Sequence, residues 1–179
     1  MAVGFGIRRS YLIFFLLLVV AVVVPVLIRF VTHTNGPQIE LIFTDGRART
    51  VTLAQMKRLP ALTRKGTYQN QFGNWGDPGI YTGVLLTDLI DSEAPYTAIL
   101  VQAADGYEVA IERDRVENPG YPMVLAYAFN GVEVPDWEMG YRIAVLPEDG
   151  NVSNEEYGVP SAGSFWVKNV VRVILQLGS

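Results

Sequence analysis

The chain has no cysteine and a single histidine, His33. Without a sulfur donor there is no disulfide, no iron–sulfur cluster, no thiolate zinc site and no cysteine nucleophile. The only histidine lies upstream of most of the polar residues, which argues against a Ser–His–Asp triad and a multi-histidine metal centre. A basic excess is missing too: 14 Lys and Arg stand against 18 Asp and Glu, a net charge of −4. Nucleic acid selects for basic surface, so it is not an expected partner.

What the sequence has in excess is apolar residues, 50% of its 179, and they are unevenly spread. Tyr11 to Ile28 is an eighteen-residue run without a charge. At about 1.5 Å rise per residue such a run spans roughly 27 Å as a helix, close to the thickness of a bilayer core. Pro25 is tolerated in membrane helices. A cleaved signal peptide needs a shorter apolar core and small residues at its cleavage site, so the run reads as an uncleaved anchor. Arg8 and Arg9 precede it and only Arg29 follows closely. The positive-inside rule then places the N-terminus in the cytoplasm and the rest outside the cell membrane. The expected organisation is a cytoplasmic 1–9, a single-pass transmembrane helix 10–30, a polar linker 31–37 and an extracytoplasmic domain 38–179. Beyond residue 36 lie eleven basic and all eighteen acidic residues, a balance of −7, and the apolar share falls to about 45%, ordinary for a globular domain.

Turn signals divide the soluble part. Asp45-Gly46, Asp105-Gly106 and Asn130-Gly131 each separate two β-prone runs, because glycine supplies the positive φ of a tight hairpin. Thr52-Leu53-Ala54-Gln55 has capping-box spacing and opens a short helix that Pro60 stops. Val84 to Ile90 has helical apolar spacing. Tyr141–Leu146 and Phe165–Leu177 read as strands, the latter with Val171, Val173, Leu175 and Leu177 on one face. Pro147 to Gly163 reads as a long polar loop, and Gly73 to Gly79 as a Gly/Pro-rich one. The total of eight to ten strands and two or three short helices predicts a mixed, strand-rich α+β domain.

Two segments invite chemistry. Asp149, Asn151, Ser153 and Glu155 alternate like half a calcium loop, but Asn154 and Pro160 stand where such a loop needs Gly and Glu. A solvated acidic loop is the better reading; Asn151-Val152-Ser153 is also a glycosylation sequon. Tyr68 to Tyr81 crowds amides, aromatics and glycines together. That mix suits a planar polar heterocycle, and equally a structural loop whose amides cap strands. No pair of carboxylates is singled out by spacing, and no catalytic residue or metal ligand is assigned.

The motif order TLAQMKRLP, QFGNW, YTGVLLTDLI, AADGYEVAI, FNGVEV, YRIAVLPEDG and FWVKNVVRV resembles the sulfite-oxidase-type molybdopterin-binding domain. The similarity covers about residues 38–177. It implies a sulfite-oxidase-like fold, a pterin-phosphate pocket and oxygen-atom transfer at molybdenum. The enzymes ligate the metal with a cysteine just before a Gly-Asn pair; here that pair resembles Gly73-Asn74, which puts Gln71 at the thiolate position. A neutral amide does not replace a soft anionic donor. By the same resemblance Gln71, Gly73, Asn74 and Trp75, with Arg142 and Lys168 as anion clamps, are the candidate cofactor-binding residues, and molybdopterin is the implied cofactor. The expectation is a membrane-anchored domain that binds a pterin or another small polar ligand without itself carrying the reaction. The alternative is a non-catalytic interaction module or accessory subunit of a membrane protein complex.

Overall fold

The computed structural model describes residues 36–90 and 94–178. The apolar run 11–28, the charges that set its orientation and the linker up to residue 35 lie outside the described residues. Among the described residues no helix is long and apolar enough to cross a membrane. From Pro37 onward they belong to one compact unit.

Local signals build the hairpins. Strands β1 (Gln38–Ile42) and β2 (Ala48–Thr52) pair antiparallel across Gly46, whose φ of 84° only glycine adopts without strain. Helix α1 (Leu53–Met56) starts on Thr52, which accepts a hydrogen bond from the Gln55 backbone while the Gln55 side chain accepts one from the Thr52 backbone. Strands β3 (Ala61–Gln69) and β4 (Trp75–Leu85) form the longest hairpin, and α2 (Leu86–Leu89) follows. Strands β5 (Ala98–Ala103) and β6 (Glu108–Glu112) pair across Gly106, and α3 (Arg113–Val116) follows directly. Strands β7 (Met123–Phe129) and β8 (Val132–Glu133) pair across Asn130-Gly131, both at positive φ. The remaining elements are β9 (Arg142–Val145), β10 (Asn151–Val152), α4 (Asn154–Tyr157), a 3-10 turn at Ala162–Phe165 and β11 (Val170–Gln176).

Two sheets result. One has the order β2-β1-β11-β5-β6, with β1 and β11 parallel and the other pairs antiparallel. The other runs β10-β3-β4-β7-β8, with β9 also on β7. Residues Met123 to Ala128 of β7 and all of β9 are buried, so these two strands form the centre of the core. The α+β, strand-rich expectation holds for the described residues.

Four details differ from the sequence reading. Eleven strands are present among the described residues, beyond the eight to ten expected, together with four one-turn helices. The Gly/Pro-rich stretch after Gly73 is not a loop from end to end, because β4 starts at Trp75. Its first half pairs only with β3, β7 joining at Tyr81, so Pro78 leaves no interior ladder bond unmade. The polar stretch 147–163 is likewise folded: β10 pairs in parallel with β3, and Ser153 caps α4 by accepting from the Glu156 backbone. Two of the acidic groups there serve a turn and a cap: Asp149 accepts from the Asn151 backbone and Glu156 from the Ser153 hydroxyl. Phe165 belongs to the 3-10 turn, and β11 starts at Val170. A register shift between Val170 and Arg172 turns Val171 outward while Val173 and Leu175 stay in the core.

Asn154 ties this segment to the β3–β4 hairpin. Its Nδ2 donates to the Asn70 carbonyl at 2.8 Å, its Oδ1 accepts from the Ala162 backbone at 2.8 Å, and its own backbone donates to Gln69 Oε1 at 2.9 Å. Asn154→Ala removes two of the three bonds and strands part-buried partners, a cost of about 1–2 kcal/mol. Thermal denaturation measures the loss, and hydrogen exchange in residues 69–75 should accelerate with it.

Candidate functional site

The candidate residues fall into two groups. Gln71, Gly73, Asn74 and Trp75 make the tip of the β3–β4 hairpin and are all exposed. Gly73 takes the positive φ of 77° that the turn requires. The tip is held by Asn70, whose Oδ1 accepts from the Phe72 and Asn74 backbones. The Asn70 amide thus serves the turn itself. Phe72 and Trp75 project from the tip, 77% and 50% exposed.

Arg142 and Lys168 form the second group, and a carboxylate joins them. Asp77 lies on β4 two residues beyond Trp75. Its Oδ2 atom receives three donors: Arg142 Nη2 at 2.7 Å, Lys168 Nζ at 3.1 Å and the Tyr68 hydroxyl at 3.1 Å. Among the described residues no hydrogen bond or ion pair links this cluster to the side chains of Gln71, Asn74 or Trp75.

Arg142 is the one buried charged residue among those described, 2% exposed at the start of β9. Its guanidinium carbon lies 5.3 Å from the Trp166 ring centre, 5.5 Å from Tyr68 and 5.7 Å from Tyr81, an aromatic cage. Its Nη1 donates to the Tyr81 hydroxyl at 3.4 Å, and that hydroxyl donates onward to the Asp77 carbonyl at 2.7 Å. Arg142 Nε is buried with no partner. Asp77 itself has a φ of +46° immediately before Pro78, a conformation that costs a non-glycine residue and persists only where its surroundings impose it.

Burial works upward on the Asp77 carboxyl, but the hydrogen bond and charge of Arg142, followed by those of Lys168, override it and hold the pKa below the usual carboxylate value. A depressed folded-state pKa contributes stability that is present above the unfolded value, about pH 4, and is lost as pH falls through the folded one. The expected result is an acid limb in a pH series of unfolding midpoints that Asp77→Asn flattens. An unchanged limb in the variant would assign acid sensitivity elsewhere. Burial pushes the Tyr81 hydroxyl far up, so it stays protonated as a donor.

A cavity of ≈ 450 Å³ opens beside this cluster. Its walls include Asp77, Arg142, Asp136, Glu138 and the stacked rings of Phe129 and Trp137, whose centres are 5.7 Å apart at 16°. Three acidic residues and one arginine thus line it. Of the residues around this cavity, the sequence points only to Arg142. Asp77 was hidden in a Gly-Asp-Pro-Gly string that signals a turn, and Asp136, Glu138 and Trp137 carry no distinguishing pattern. Trp166, whose apolar neighbours read as a strand, lies just after the 3-10 turn and ahead of β11.

The residues present do not fit the molybdopterin cofactor that the resemblance implies. That cofactor is a phosphate-bearing anion whose metal takes a soft anionic donor. Gln71 is an exposed neutral amide, and the two cations expected to clamp the anion are both engaged by Asp77.

The fold nonetheless has a counterpart among solved structures. A solved structure that shares it is the sulfane dehydrogenase SoxCD from Paracoccus pantotrophus, with a TM-score of 0.57 and 16% sequence identity. The match covers 78% of this chain and 38% of the other, so this chain spans well under half the length of the chain it matches. At this identity the likeness is one of fold alone. A scan against protein-family models and a search of curated proteins each return no match.

Proposed function

We propose that the domain is a non-catalytic, ligand-binding descendant of this fold, held outside the cell membrane by the apolar run 11–28, with a pterin or another small polar ligand as its occupant. The observation that carries the reading is the ≈ 450 Å³ cavity whose lining includes the stacked Phe129 and Trp137 and the paired Asp77 and Arg142. Its volume is that of a small-molecule site, with flat apolar walls and a few fixed polar groups. The amide at Gln71 and the engaged cations argue against the metal reaction.

Metal analysis and mass spectrometry of the detergent-solubilised full chain test this. Expected is no molybdenum and a small organic molecule released on denaturation. Stoichiometric molybdenum would overturn the non-catalytic reading. No released molecule, with a stable protein partner instead, would favour the interaction-module alternative. That second reading draws support from the protruding Phe72 and Trp75. Protease added to intact cells should digest the chain beyond Phe30; full protection would reverse the proposed orientation.

A further inference from the structure

The arrangement around Asp77 is that of a bound anion. Tyr68 on β3, Arg142 on β9 and Lys168 ahead of β11 come from three separate parts of the chain and converge on one oxygen. Two cations meet a single carboxylate, which leaves the cradle one positive charge in excess, and Arg142 Nε stays unpartnered in the same place. The carboxylate is delivered by a residue in the left-handed region, so the backbone bends to place it. Around the adjoining cavity the other charged walls, Asp136 and Glu138, are negative, and neither joins an ion pair among the described residues.

We infer that Asp77 is a built-in ligand: it fills the anion position of the Tyr68–Arg142–Lys168 cradle and so restricts the adjoining cavity to neutral or cationic flat molecules. This deepens the ligand-binding reading and rests on it for the cavity. With Asp77 in the cradle, an incoming anion finds both cations already engaged by a carboxylate and meets Asp136 and Glu138, so its desolvation there is poorly compensated. A cation or a neutral heterocycle stacks on Phe129 and Trp137 and donates to the same carboxylates.

Asp77→Gly is the variant of choice, because glycine accepts the +46° backbone while removing the carboxylate. In the detergent-solubilised full chain its unfolding midpoint should fall, and sodium formate should restore it saturably while leaving wild type at its value in sodium chloride of equal ionic strength. Adding Lys168→Ala should weaken that rescue by an order of magnitude. If Asp77→Gly fails to fold in chloride, refolding yield in formate gives the same readout. Absence of rescue, or equal stabilisation of wild type by formate, overturns the inference. A matched pair of probes reads the ligand class through the Trp137 signal: benzamidine should bind wild type at least tenfold better than benzoate, and Asp77→Gly should reverse the order. Benzoate binding wild type as well as benzamidine does also overturns it. Formate rescue with neither probe at Trp137 upholds Asp77 as the internal ligand and rejects the cavity as a small-molecule site.

Discussion

Gly83→Ala is expected to lower the unfolding midpoint by roughly 10 °C. Gly83 lies on β4 where it pairs with β7, at a register shift between Thr82 and Gly83. A Cβ at this position would stand 2.4 Å from the Leu125 carbonyl oxygen and 2.6 Å from the Ala126 Cα. Both are backbone atoms of the most buried strand, so no side chain can rotate out of the way. Forcing the strands apart costs about 3 kcal/mol, the upper end for overpacking, and about 3–4 °C accompanies each kcal/mol in a domain of this size. Gly120→Ala is the control, since its nearest neighbour is the Asn118 side chain at 3.3 Å and its backbone is unstrained. It should stay within about 0.5 kcal/mol of wild type. Equal midpoints for the two variants would mean that β4 and β7 are not paired in this register.

Arg142→Met should cost about 3 kcal/mol, read as a lower urea midpoint at unchanged slope. Methionine fills much of the arginine stem's space in the aromatic cage but leaves Asp77 without its shortest partner. The figure sits at the low end for a broken buried pair because Asp77 keeps Lys168 and is itself about one-third exposed. Arg142→Lys should recover little of it. A single ammonium does not reach Asp77 Oδ2 and the Tyr81 hydroxyl together, whereas the guanidinium fork does. A lysine variant as stable as wild type would show that the cage needs only a charge.

Much of the fold was legible where its cause is local. The β1–β2, β5–β6 and β7–β8 hairpins were readable because Gly46, Gly106 and Asn130-Gly131 meet a backbone demand that few residues meet. The same holds for α1, whose Thr52–Gln55 capping box lies within four residues. What was not legible depends on distant chain. Strand β10 exists because Asn151 and Val152 find Thr67 and Tyr68, and nothing within the segment announces that pairing. Arg142 and Lys168 were identified as cations by type, yet their shared partner Asp77 lies 65 residues from Arg142. A salt bridge leaves no periodicity for sequence reading to detect. The hairpin-tip residues Gln71 to Trp75 drew notice through their composition, and composition alone could not separate strand-capping amides from ligand-holding ones.

The parallel pairing of β1 with β11 has a mechanical consequence. Glu40 lies opposite Arg172, Leu41 opposite Val173 and Ile42 opposite Ile174, with the Glu40–Arg172 ion pair across the join. The chain enters this ladder at Gln38 and leaves it at Gln176, from opposite ends. Tension applied between those points pulls the two strands along their length in opposite directions, so every inter-strand bond is strained at once instead of one after another. A domain tethered through β1 and pulled through its far end is therefore loaded in shear, the direction in which a sheet yields last.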